Sequence, residues 1–426
     1  MSLVSTPRVT TLPNGLRVIS EEMPHVGTAS LGIWVASGSR AESPAQHGVA
    51  HMLEHMAFKG TQRRSARGIA EEIENAGGDI NAATGVETTA YFARVLKNEV
   101  PLSLDILADI LRNPVYHEQD LALERTVVLQ EIAATQDNPE DMLFDIGQAV
   151  AFPDQPLGRP VLGTAQSVRG MRREDLIAFR DANYGAQRIV LGAAGAVNHD
   201  ALVRHAEVLL ADLPADAAAA CEPACYAGGY RSAKMRVEQS HLLIAFEAPS
   251  SRAPDYYAAQ VTAGLLGGGM SSRLFQEARE TRGLCYAIYA FCHGFFDIGL
   301  FGIHAAADRQ DIAALTGVIS DELRKLADEG PRDEELQRAK AGMKAGLLMG
   351  LESSGARAEF LARHLHVFGQ PPSVEDLVER IESVDAAQVH ACIQNLLTGT
   401  PPSCVHVGPR GDAPELQAIA EGSLRH

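Results

Sequence analysis

The sequence predicts an α+β protein made of two homologous domains. Three observations carry this. The chain has 426 residues, more than one hydrophobic core ordinarily organises and enough for two domains of roughly 200 residues each. Strand-like and helix-like patterns mix without the strict alternation of a parallel α/β sheet. Segments of the first half recur in the second at a nearly constant separation.

The elements follow in order. Residues 8–12 and 16–20 flank Pro13-Asn14-Gly15 and predict a hairpin. Residues 29–36 are a mostly apolar strand, and helical periodicity covers 48–58 and 66–76. A second hairpin joins 79–84 to 88–95 through Gly85. Helices are expected over 101–111, 119–135, 139–151, 173–182 and 199–212, with a strand at 189–196 among them. Pro214, an alanine run, Pro223 and Gly228-Gly229 mark a linker. The expected division is therefore 1–213, a linker at 214–232, and 233–426.

The repeat is legible in three places. Residues 121–132 align with 336–347, 171–179 with 384–392, and 189–195 with 403–409, at offsets of 215, 213 and 214. Where the first half has Glu124 and Glu131, the second has Ala339 and Gly346. A residue kept only for packing should often persist in both copies, and these acids do not.

Composition narrows the function. Hydrophobic residues make up 46% of the chain and charged residues 21%, as in soluble globular proteins. No apolar run is long enough for a membrane helix, and the N-terminus has no basic patch followed by an apolar run. The net charge of −17 argues against nucleic acid as a partner, because phosphate binding needs Lys and Arg. All six cysteines lie beyond residue 220 and none forms a CxxC pair. Reduced thiols and a cytoplasmic location are the expectation.

The strongest chemical signal is His51-Met52-Leu53-Glu54-His55. On a helix, positions i and i+4 share a face, so both imidazoles can reach one metal ion. Zinc suits two neutral imidazoles and a carboxylate, with an open position for water. Glu54 lies beside that position and can accept the water's proton as general base. This order reverses the HExxH arrangement. A candidate third ligand is Glu131, on the helix that also carries Glu124 seven residues earlier. Partial burial of that helix demands a partner for each acid, either a metal or an arginine.

The runs HMLEHMAFKGT (51–61), GGDINAATGVETTAYF (77–92) and ERTVVLQE (124–131) resemble the pitrilysin-type zinc peptidases, or inverzincins. The branch most resembled is that of the mitochondrial processing peptidases and their bacterial relatives. The likeness covers nearly the whole chain. It implies one Zn2+ per chain on His51, His55 and Glu131, Glu54 as general base, and Glu124 as a carboxylate orienting a ligand. It also implies a peptide or unfolded-protein substrate. Asn81, Ala82 and Ala83 would lie on a strand to which substrate adds, and Phe58 would line the pocket after the scissile bond. Asp141 and Asp145 would receive an arginine near the cut. Arg279 and Tyr286, seven apart in ARETRGLCY, would stabilise the oxyanion. In the processing-peptidase branch the metal and the Arg/Tyr pair are often on different subunits. Here one chain carries both, so a homodimer is expected.

Three other readings compete. A non-catalytic scaffold or partner-dependent subunit of the same family should have lost a ligand or Glu54, and none is missing. The Gly267-Gly268-Gly269 run lacks the GK[ST] ending of a phosphate loop. A metal-binding protein without hydrolase activity would leave Glu54 without a role.

Overall fold

The computed structural model describes residues 6–215, 222–409 and 411–425. The turn at Asn14-Gly15 closes the first hairpin, strands Arg8–Thr11 (β1) and Arg17–Glu22 (β2). Asn14 Oδ1 accepts from Leu16 N, and Gly15 takes a positive φ. Thr28–Val35 (β3), Asp79–Thr84 (β4), Thr89–Leu96 (β5) and Ile189–Gly195 (β6) complete a six-stranded sheet. Its order is β1-β2-β6-β3-β5-β4, with β2 and β6 parallel and the other neighbours antiparallel.

A second sheet contains Gly229–Lys234 (β7), Gln239–Ala248 (β8), Ala287–Gly294 (β9), Gly299–Asp308 (β10) and Ser403–Gly408 (β11). Its order is β7-β11-β8-β10-β9, with β7 and β11 parallel. That is the order β2-β6-β3-β5-β4 repeated, so the duplication is one of topology as well as sequence. The fold is α+β in two homologous parts.

The chain forms two compact units, and neither is contiguous. One comprises the described parts of 1–132, 160–222 and 348–373; the other comprises those of 133–159, 223–347 and 374–426. Each half thus gives one helix to the other half's sheet. In the first unit, helix Ser354–Phe368 lies on β2, β3 and β6. Its Ala358, Leu361, Ala362 and Leu365 form one apolar stripe against Ile19, Trp34, Val190 and Ala194. The opposite face of the same strands carries the main core. Apolar cover on both faces explains why β6 is buried at every position. Arg357 anchors the helix through a buried 2.7 Å ion pair with Glu21. In the second unit, helix Pro139–Ala151 lies on β7, β8 and β11. The contact is close at Gly147, where a Cβ would meet Leu243 Cδ2 at 2.4 Å.

The stretch read as a linker, 214–232, is partly strand, since β7 begins at Gly229. Gly228 and Gly229 turn the chain into the sheet at positive φ; their composition alone suggested a loose connection. Residues 216–221 of that stretch, including Cys221, lie outside the described residues. Among the described residues no helix is long and apolar enough to cross a membrane.

Candidate metal centre

The histidine motif folds as helix Val49–Ala57. Gly48 starts it with φ 88°, at a point where a Cβ would meet Leu162 O at 2.8 Å. Buried Glu42 caps it, accepting from Gly48 N and Ala50 N at 2.8 Å each. Val49, Ala50, Met52, Leu53, Met56 and Ala57 face the core. What remains on the other face is His51, Glu54 and His55, each half-buried.

Helix Glu118–Asp137 supplies the carboxylates. Leu121, Glu124, Val128 and Ile132 are its buried positions, a stripe at helical spacing that fixes its rotation. Glu131 then projects over the two imidazoles. Its Oε2 lies 3.7 Å from His51 Nε2 and 3.6 Å from His55 Nε2. These distances are too long for hydrogen bonds, yet the three atoms lie within 4.8 Å of one another. Ligands about 2.0–2.1 Å from a tetrahedral ion stand about 3.4 Å apart, so this donor set is slightly open and fits such an ion. Among the described residues it is the one group of three such side chains placed to hold a metal.

The electrostatics favour a cation there. Burial, and then His55, push the His51 pKa down to about 4, so its imidazole is neutral at pH 7 and free to ligate. Glu124 Oε2 accepts from His55 Nδ1 at 2.8 Å, which directs His55 Nε2 towards Glu131. Burial alone would raise the Glu124 pKa, but hydrogen bonds from Lys59 and His55 outweigh it and hold the acid below its ordinary value. Burial raises the Glu54 carboxyl above the usual range, against the opposing effects of Thr84 and His55. Thr84 Oγ1, at the end of β4, donates to Glu54 Oε2.

The other predicted residues fall in two places. Asn81, Ala82 and Ala83 lie on β4, the last strand of its sheet, with Asn81 and Ala83 exposed. Among the described residues no strand pairs with its outer edge. Phe58 ends the motif helix and packs half-buried against the first core. Asp141, Asp145, Arg279 and Tyr286 belong to the second unit. Asp141 is exposed in the first turn of its helix. Burial, and then Asp141, raise the Asp145 carboxyl to about 6. Arg279 sits on a π-helical segment, Phe275–Thr281, with its guanidinium 5.3 Å from the Tyr286 ring centre. Tyr286 is 72% exposed.

Two contacts at the centre, those of Lys59 with Glu124 and of Thr84 with Glu54, are not foreseen from the sequence. Lys59 lies within the motif run and Thr84 within the edge-strand run. Lys59 sits one helical turn beyond His55, and that spacing was the available signal. Nothing local signals the bond from Thr84 to Glu54, which strand and helix packing creates.

The chain matches the family model described as insulinase (peptidase family M16) over residues 17–165, and the one described as peptidase M16 inactive domain over 170–343. It belongs to the peptidase M16 family. Among its M16 relatives, an uncharacterized zinc protease of Streptomyces coelicolor is 37% identical over 418 residues, covering 96% of this chain and 91% of the relative. A probable mitochondrial-processing peptidase subunit beta of Arabidopsis thaliana is 37% identical over 430 residues, covering 97% of this chain and 81% of the relative. The fold is shared with a solved Helicobacter pylori protease at TM-score 0.86 and 22% identity, covering 94% and 99% of the two chains. It is also shared with a Pseudomonas fluorescens structure described as a peptidase M16 inactive domain, at TM-score 0.88 and 22% identity, covering 95% and 98%.

Proposed function

We propose that this M16 protein is a zinc-dependent metalloendopeptidase that hydrolyses peptide bonds in unfolded peptides or flexible protein segments. The observation that carries the proposal is the convergence of His51 Nε2, His55 Nε2 and Glu131 Oε2 beside the Glu54 carboxylate. Relatives named zinc proteases support the choice of metal. One zinc per chain is proposed.

His51, His55 and Glu131 would hold a zinc ion, which would supply Lewis acidity to the attacking water and to the substrate carbonyl. Glu54 takes the proton from that water and passes it to the leaving amine. Its raised pKa suits the first half of this task, because a more basic carboxylate takes up the water's proton more readily. Thr84 holds the carboxylate in place between the two steps. The free edge of β4 takes the substrate as an added strand, so affinity comes from main-chain hydrogen bonds and tolerates many sequences. Phe58 lines the pocket beyond the cut.

In this reading, residues 1–213 hold the metal, 214–232 connect the halves, and 233–426 contribute substrate contacts. Arg279 and Tyr286 donate hydrogen bonds to the developing oxyanion, and a homodimer lets each chain's pair serve its partner. Asp141 and Asp145 bind an arginine near the cut. A cytoplasmic setting agrees with five described cysteines that are all free.

The test is zinc content and cleavage of an unstructured, arginine-containing peptide mixture, for wild type and Glu54→Gln side by side. Zinc in both and cleavage by wild type alone is the expected result. Zinc in both and cleavage by neither would sink the autonomous-enzyme reading and redirect the search to a partner subunit.

A further inference from the structure

We infer that Lys59 is a positioning residue of the metal centre, acting on His55 through Glu124; this rests on the zinc reading proposed above. Lys59 Nζ lies 2.6 Å from Glu124 Oε1, while Glu124 Oε2 takes His55 Nδ1 at 2.8 Å. Each oxygen of the carboxylate therefore has its own partner. The Glu124 side chain is only 7% exposed, and a carboxylate so placed needs compensating charge. Lys59 provides the cation, and holding both oxygens fixes the carboxylate plane. That plane in turn fixes the tilt of the His55 ring, with Nδ1 as donor and Nε2 facing Glu131.

The two imidazoles differ in this respect. His51 Nδ1 is buried without a hydrogen-bond partner among the described residues, so only His55 is braced from behind. Lys59 also ties the end of the motif helix to the helix carrying Glu131. In the second half Ala339 stands where the first has Glu124, and the chain Lys–Glu–His has no counterpart. Exposed ion pairs contribute little to stability. Here the lysine is partly exposed and its carboxylate buried, an arrangement suited to holding a neighbouring group in position.

The experiment measures zinc affinity of the full-length, metal-stripped chain by competition with a chromophoric chelator. It compares wild type, Lys59→Met, Lys59→Arg, Glu124→Gln and the Lys59→Met/Glu124→Gln double variant. Lys59→Met should bind zinc about tenfold more weakly, and Lys59→Arg should stay within about threefold of wild type because the cation is kept. The double variant should bind no more weakly than Glu124→Gln alone, since the lysine acts through that acid. Lys59→Met leaves the buried Glu124 carboxylate uncompensated, so its metal-free melting temperature should fall, and the double variant should recover that loss without recovering zinc affinity. Wild-type affinity in Lys59→Met, or full additivity of zinc affinity in the double variant, overturns the inference. If wild type itself binds no zinc, the proposed function fails as well, so the two failures are distinguishable.

Discussion

Glu124 Oε2 and His55 Nδ1 stand 2.8 Å apart although 69 residues separate them in the chain. Such a partner settles which imidazole nitrogen is left for the metal. Replacing Glu124 by Ala should weaken zinc binding by about 10–100-fold and leave the fold intact. Chelator competition and circular dichroism on one preparation test this; undiminished affinity would show that the contact is structural only.

In the proposed centre Glu131 is itself a ligand, so its loss should be more severe than that of Glu124. Glu131→Gln is expected to lack stoichiometric zinc at concentrations that saturate the wild type, as read by elemental analysis after gel filtration. Full occupancy in that variant would remove Glu131 from the ligand set.

Thr84 Oγ1 donates to Glu54, which is not one of the three proposed ligands. Thr84→Val keeps the shape and removes the hydroxyl, and kcat should fall about tenfold while zinc content and KM change little. Thr84→Ser should behave nearly as wild type. Equal kinetics in the two variants would mean that the hydroxyl plays no part.

Arg279 belongs to the other unit, so replacing it should leave the metal alone. Arg279→Ala is expected to lower kcat about 10²-fold with zinc content unchanged. Peptidase kinetics identical to wild type would refute an oxyanion role.

Asp145 makes a pH prediction. Its folded pKa, about 6, lies above its ordinary value of 3.8, so its proton is held more tightly in the folded state. Stability is lost as pH rises from about 4, where the unfolded acid ionises, through 6, and the loss persists at pH 7. Asp145→Asn should therefore melt higher than wild type at pH 7, and the gap should close near pH 4. A gap of constant size across that range would point to a cause other than ionisation.

The sequence by itself determined a good deal. The inverted motif fixed two imidazoles on one helix face, because a spacing of four is a property of any α-helix. Near-constant offsets revealed the duplication, and the strand orders β2-β6-β3-β5-β4 and β7-β11-β8-β10-β9 repeat it. Helix and hairpin positions in the first half were legible from periodicity; 139–151 matches residue for residue. Only the tertiary structure decided how Glu131 approaches the histidines, that Lys59 and Thr84 brace Glu124 and Glu54, and that helices 139–151 and 354–368 pack in units with the other half's strands. The physical reason is one of range. Periodicity records which face of an element is apolar, whereas the partner of that face is chosen by burial and charge pairing between segments tens to hundreds of residues apart. Helix 354–368 illustrates it: its apolar stripe is written locally, but Trp34 and the Glu21 carboxylate that receive it lie more than 300 residues earlier.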